Sequence, residues 1–291
     1  MSIDQWIVQI AIGTSFGLLL FLLASGFTLT FGLARFVNLA HGAVFLVSAY
    51  VATSVAGPGW RFWLAIAAAA GTGVVLSVAV YLVAQLRWSR LGSDELSQVL
   101  LTFGLLLVFA EYARGHWGGL PRSVLEPSAL GGSWALGDTA FPVYRAFMGL
   151  IALLLAGALW WLQERTSFGA LVRAGVDDRE MLEAGGASVR PLFLAVFALG
   201  GLLAGLAAGV GAPVLGATMG QEFTILVLAF VVVVLGGAGS LKGAFVASLA
   251  VGIADALGKA LIPTFAEFTM MGLVVVTLAW RPNGIFGWAG R

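Results

Sequence analysis

Cysteine is absent from the 291 residues, which removes disulfides, thiolate metal ligands and cysteine nucleophiles together. Histidine is nearly absent, with only His41 and His116, so paired-histidine haem ligation has no material and no metal site is expected. Charge is scarce as well: 10% of the residues are Asp, Glu, Lys or Arg, against about a quarter in a soluble domain. Catalytic motifs are missing too. There is no His-Glu-x-x-His, no Gly-x-Ser-x-Gly elbow and no phosphate loop ending in Gly-Lys-Ser/Thr; Gly237 to Lys242 (GAGSLK) resembles one but is wrongly spaced. Without grouped acids, bases or nucleophiles the chain is not read as an enzyme. No cofactor or nucleic-acid partner is expected.

What fills the chain is apolar: 60% of residues are hydrophobic, gathered in runs rather than spaced at amphipathic intervals. Runs of about the 17 to 25 residues that cross a bilayer lie near 7–33, 39–56, 62–84, 96–113, 143–162, 191–212, 222–237, 243–260 and 265–280. They predict an all-α, polytopic transmembrane bundle of eight or nine spans, with 1–291 as one transmembrane domain. The seventh run is the weakest. It ends in Leu235-Gly236-Gly237-Ala238-Gly239-Ser240 and reads either as a full span or as part of a broken helix, because glycine frees the backbone. The opening segment carries Asp4 and no basic residue before its apolar run, so it reads as a retained helix rather than a removable signal.

Threading nine crossings puts Arg35, Arg87, Arg90, Arg165, Arg173, Arg179, Arg190, Lys242, Arg281 and Arg291 on one side and Arg61, Arg114, Arg122, Arg145 and Lys259 on the other. The richer side is expected to be cytoplasmic, placing the amino terminus outside and the carboxyl terminus inside a cell inner membrane. Two long connections follow: an external Gly- and Pro-rich loop at 114–142, and an internal polar loop at 163–190 with partial helical character.

Ionisable residues near the spans are Glu111, Glu222, Asp255, Lys259 and Glu267. Asp255 and Lys259 stand at i, i+4, which suits either a neutralised interfacial pair or a transport role. Gly201, Gly205 and Gly209 form a stripe at four-residue spacing, read as close helix packing or as path lining. Between the first two runs, Asn38, His41 and Gly42 read as a turn in which Asn38 caps the next helix, or as a gate or subunit contact. Gly236, Gly237 and Gly239 are candidates for the same role. His41-Gly42-Ala43 with Phe45 and Ser48 echoes Lys242-Gly243-Ala244 with Phe245 and Ser248, a pattern compatible with an internal parallel repeat.

In the inner loop, Asp177, Asp178 and Glu180 load the start of a short helix, and Gly185-Gly186 ends it, Gly186 supplying the left-handed conformation. Spacing alone leaves a solvated loop and a docking element equally open. The loop resembles the Glu-Ala-Ala-x-x-x-Gly coupling loop of ABC importer permeases, with Met181 and Leu182 at the two alanine positions. Gly26-x-Thr28-Leu29-x-Phe31-Gly32, Val37 to Gly42, Arg173-Ala174 leading into Arg179-Glu180, Val234 to Ala244 and Arg281 to Gly287 resemble, in order, the branched-chain amino acid permeases of the LivH type. That resemblance implies a second related permease, two cytoplasmic ATP-binding subunits carrying ATP and Mg, and an external substrate-binding protein. It implies alternating access driven through the loop at Arg179, Glu180, Gly185 and Gly186. Branched-chain or related hydrophobic amino acids are the expected solutes, with urea, short amides or aromatic acids as alternatives. A self-contained secondary carrier, resting on Glu222, Asp255 and Lys259, is the competing class.

Overall fold

The computed structural model describes residues 2–34, 37–91, 95–137, 139–186, 188–237, 239–265, 272, 274–277, 279–281 and 284–286. In chain order its elements are α1 (Ile3–Ala34), α2 (Ala40–Val55), α3 (Trp60–Leu91), α4 (Glu95–Trp117), β1 (Ser133–Leu136), β2 (Thr139–Pro142), α5 (Val143–Arg165), α6 (Ser167–Asp177), α7 (Arg179–Ala184), α8 (Val189–Leu215), α9 (Gln221–Gly236) and α10 (Leu241–Leu261). Eight of the nine apolar runs are therefore helices. The ninth lies partly outside the described residues, with helical backbone at 274–277 and at 279 and 280.

Six helices, α1, α3, α4, α5, α8 and α10, are long and apolar enough to cross a membrane. The other two, α2 and α9, have 16 residues each, about 24 Å of rise against a hydrocarbon core of about 30 Å. Being short, they leave irregular backbone at membrane depth, and that backbone needs partners inside the protein.

Glycine decides how the long helices cross. A lipid-soluble bundle gains little from apolar burial, so association relies on close van der Waals contact between backbones. Helix α1 crosses α10 where a Cβ on Gly17 would meet the Ser248 carbonyl at 2.7 Å and one on Gly252 would meet Gly17 Cα at 2.5 Å. Further along, Gly26 of α1 lies against Gly200 of α8, leaving only 2.8 Å between a Cβ and Gly200 Cα. The stripe Gly201, Gly205 and Gly209 faces α3, with Gly201 on Gly73, Gly205 on Ala69 and Ala70, and Gly209 on Ile66.

At one end of the bundle the 114–142 connection folds back over the helices. It contains a hairpin the Gly- and Pro-rich composition does not announce, with Trp134 opposite Phe141. Arg122 and Ala217 exchange backbone hydrogen bonds of 2.9 and 2.8 Å, Tyr50 donates to the Leu120 carbonyl at 3.3 Å, and Trp117 donates to Ser54 Oγ at 2.7 Å. The polar connection from 163 to 190 occupies the opposite end, where Tyr81 ties α3 to α8 through the Arg190 carbonyl at 2.9 Å. The two connections thus lie at opposite ends of α5.

Candidate functional site

The segment from Val37 to Gly42 does not sit at the end of α1. His41 Nε2 donates to the carbonyl of Leu23 at 3.0 Å, eleven residues before α1 ends, or about 16 Å back along the helix. Phe27 also packs against the His41 ring, with centroids 5.8 Å apart. The chain therefore re-enters the bundle after α1, and α2 starts at depth. Thr102, seven residues into α4, holds this stretch: its hydroxyl lies 3.1 Å from the Val37 carbonyl and accepts from Leu39 N–H at 3.2 Å. The capping role expected for Asn38 is not found. Leu39 is the N-cap residue and α2 has no side-chain cap; the His41 N–H that such a cap would serve donates instead to the Asn38 backbone carbonyl at 3.2 Å.

Asn38 is instead 1% exposed with its Oδ1 lacking a hydrogen-bond partner, as do buried Ser48 Oγ and Glu222 Oε2. Gly42 lies directly against the Glu222 carbonyl and within 3.1 Å of Leu226 Cβ, measured from where its Cβ would be. Two helix N-termini, those of α2 and α9, thus converge. Each carries the partial positive charge of a helix N-terminus, and Glu222, buried in the first turn of α9, adds a carboxyl group there. A buried carboxyl side chain, two helix N-termini and polar atoms without partners thus lie together in the interior of a membrane bundle, where polarity is costly and marks function by default.

The glycines at the other end of α9 form a second junction. Gly236 lies against Gly243 of α10 and Gly32 of α1 against Gly239, and Gly237 and Gly239 adopt φ of +94° and +80°. Ser240 Oγ then caps α10 by accepting from Gly243 N–H at 3.1 Å. Ile285 N–H donates to the Leu235 carbonyl at 2.7 Å and Phe286 N–H to that of Gly236 at 3.2 Å. Two motifs far apart in sequence therefore meet at one point, through Leu235 and Gly236 of the first and Ile285 and Phe286 of the second. The echoing glycines Gly42 and Gly243 contact opposite ends of the same helix.

In the inner connection, α7 spans six residues. Asp178 Oδ1 accepts from Met181 N–H at 2.9 Å, an N-cap on the acidic start, and Gly186 follows with φ of +84°. Arg179 and Glu180 lie in the first turn of α7, and their side chains fall outside the described residues. Gly185 and Gly186 are exposed. Helix α6 sits between this element and α5, capped by Thr166.

The remaining ionisable candidates pair at the surface. Lys259 and Asp255 are 2.7 Å apart with the lysine 65% exposed, and Arg114 and Glu111 are 3.4 Å apart and well exposed. Glu267 lies outside the described residues. Sequence reading missed Thr102, whose signal as a lone hydroxyl in an apolar run is weak, and Glu164, which lies between Arg173 at 3.9 Å and Lys242 at 3.4 Å. No cluster of three or more metal-ligating side chains occurs among the described residues.

Comparison with known proteins places these features. The chain is 26% identical to the high-affinity branched-chain amino acid transport system permease protein LivH of Escherichia coli K12, covering 94% of this chain and 93% of that protein. It is 26% identical to BraD, a permease protein of the same description from Pseudomonas aeruginosa, over 98% and 97%. The fructose import permease protein FrcC of Rhizobium meliloti is 27% identical over 62% of this chain and 50% of its own length. No solved structure matches. The family model described as branched-chain amino acid transport system, permease component, matches residues 9–279. The chain, a multi-pass inner-membrane transport permease built from apolar helices, belongs to that family.

Proposed function

We propose that the protein is a membrane subunit of an ATP-driven importer of branched-chain or related hydrophobic amino acids. On this reading it pairs with a second, related permease, receives solute from an external binding protein and is driven by two cytoplasmic ATP-binding subunits. The observation that carries the solute class is the convergence of the α2 and α9 N-termini at Gly42 and Glu222. A zwitterion suits such a place: helix N-termini favour its carboxylate and Glu222 its ammonium group, while the apolar helices around them tolerate an aliphatic side chain. Asn38 and Ser48 supply further buried polar atoms without partners. The names of LivH and BraD support the same class.

Energy enters, in this proposal, through α7 and its glycine stop. Residues Arg179, Glu180, Gly185 and Gly186 form the docking element, and movement there is transmitted along α6 and α8. The two junctions at Asn38–Gly42 and Gly236–Gly239 act as gates because short helices and glycine turns repack at lower cost than continuous spans. The fructose permease FrcC supports a second reading, a neutral polar solute on the same scaffold. Affinity purification of the tagged chain from native membranes in mild detergent, with mass spectrometry, tests the assembly. Co-purifying ATP-binding subunits and a second permease are expected. A chain purifying alone and transporting alone supports a secondary carrier instead.

A further inference from the structure

Helices α5 and α10 both pack on α1 but hardly on each other, leaving a cleft of about 710 Å³ floored by Phe21 of α1. Its walls are apolar: Leu153, Gly157 and Trp160 on α5 face Phe245 and Val246 on α10. Of its lining side chains Leu153, Trp160 and Val246 are exposed, so in a transmembrane bundle its mouth points toward hydrocarbon. Its inner end differs sharply. There Glu164 stands between Lys242 at 3.4 Å and Arg173 at 3.9 Å, and Arg173 also donates to the Gln163 carbonyl. Two cations against one carboxylate leave a net positive charge at the inner boundary, and Lys242, 69% exposed, keeps donors free to turn outward.

We propose that this cleft seats one anionic glycerophospholipid of the inner leaflet, an acyl chain against Phe21, Gly157 and Phe245 and the phosphate at Lys242 and Arg173. Charge complementarity selects this occupant. A helix of a partner permease would fill an apolar cleft equally well but gives no reason for a cationic end at the depth of lipid headgroups, where basic side chains attract anionic lipid. Trp160 near that end suits the interface as well. The site joins α5, α6 and α10, so lipid bound there braces the connection between the inner loop and the glycine junction before α10.

The test is native mass spectrometry of the purified complex titrated with phosphatidylglycerol or with phosphatidylcholine of identical acyl chains. One saturable, tightly held phosphatidylglycerol is expected, with phosphatidylcholine weaker. Lys242→Gln should weaken phosphatidylglycerol about fivefold, the effect of one charge near a membrane surface, and leave phosphatidylcholine unchanged. Gly157→Leu, whose added carbons enter open space at Cβ, should displace both lipids without unfolding the protein. Equal binding of both headgroups with no effect of Lys242→Gln overturns the headgroup assignment. Unchanged lipid retention in Gly157→Leu overturns the cleft as the chain seat. Cross-linking from position 157 to a second permease in the complex, with no lipid retained, makes the cleft a subunit interface and overturns the proposal altogether.

Discussion

His41 Nε2 donates a 3.0 Å hydrogen bond to the carbonyl of Leu23, joining the first turn of α2 to the middle of α1. The imidazole is 1% exposed and fixes the depth at which the second helix begins. Replacing it with alanine removes both the bond and a buried ring, and a loss of about 2 to 4 kcal/mol is expected. His41→Gln, which retains a donor, should recover part of it. Thermal unfolding in detergent reads the difference; equal melting of wild type and His41→Ala would contradict this anchoring role.

Thr102 holds the re-entrant backbone from α4. Thr102→Val keeps the shape but leaves the Leu39 amide without its acceptor, at about 1 to 3 kcal/mol, whereas Thr102→Ser should stay close to wild type. Hydrogen exchange at residues 37–41 should accelerate in the valine variant alone. Protection equal in all three proteins would assign the stretch to other contacts.

The crossing of α3 and α8 depends on glycine. Gly205→Leu places side-chain atoms where Ala70 Cα is already 2.8 Å from a Cβ, so detergent stability and yield should fall steeply. Gly71→Ala on α3, where nothing lies within 4 Å, is the matched control and should behave as wild type.

Coupling through the inner connection predicts a different phenotype. Gly186 is exposed and has φ of +84°, a conformation unavailable to proline. Gly186→Pro should therefore leave the bundle folded, as judged by size exclusion and melting, while solute-stimulated ATP hydrolysis by the assembled complex drops at least about tenfold. Gly186→Ala, strained by about 1 to 2 kcal/mol, should fall between. Normal stimulation in the proline variant removes α7 as the docking element.

Glu222→Gln removes a buried charge beside two helix N-termini without changing shape. Uptake of leucine by the complex should fall more than assembly does. A neutral sugar as solute would be affected little, which separates the two solute classes.

Much of this fold is legible in the residues because long apolar runs have few alternatives in a bilayer, and eight of nine runs are helices. Depth is not legible in the same way. Arg35 to Gly42 reads as a turn at the membrane boundary, since composition carries no record of how far α1 extends past the point where α2 starts. The partner that settles it, Thr102, is 63 residues from Leu39 in sequence. The hairpin at 133–142 is hidden for a related reason: its strands are four residues each, and its turn lies against Asp4 of α1 at Gly137, a contact that local pattern does not encode. Glycines are intermediate. Their spacing identifies a packing stripe, but only the fold reveals that Gly201, Gly205 and Gly209 face α3 while Gly26 and Gly200 face each other.

The most direct test of ATP-driven amino acid import is uptake of labelled leucine into proteoliposomes containing this chain with its co-purified subunits and binding protein, with and without ATP on the cytoplasmic side. Accumulation that requires both ATP and the binding protein, and that is lost in Gly186→Pro, is predicted. Leucine uptake by the chain alone, driven by an ion gradient and indifferent to ATP, would contradict it.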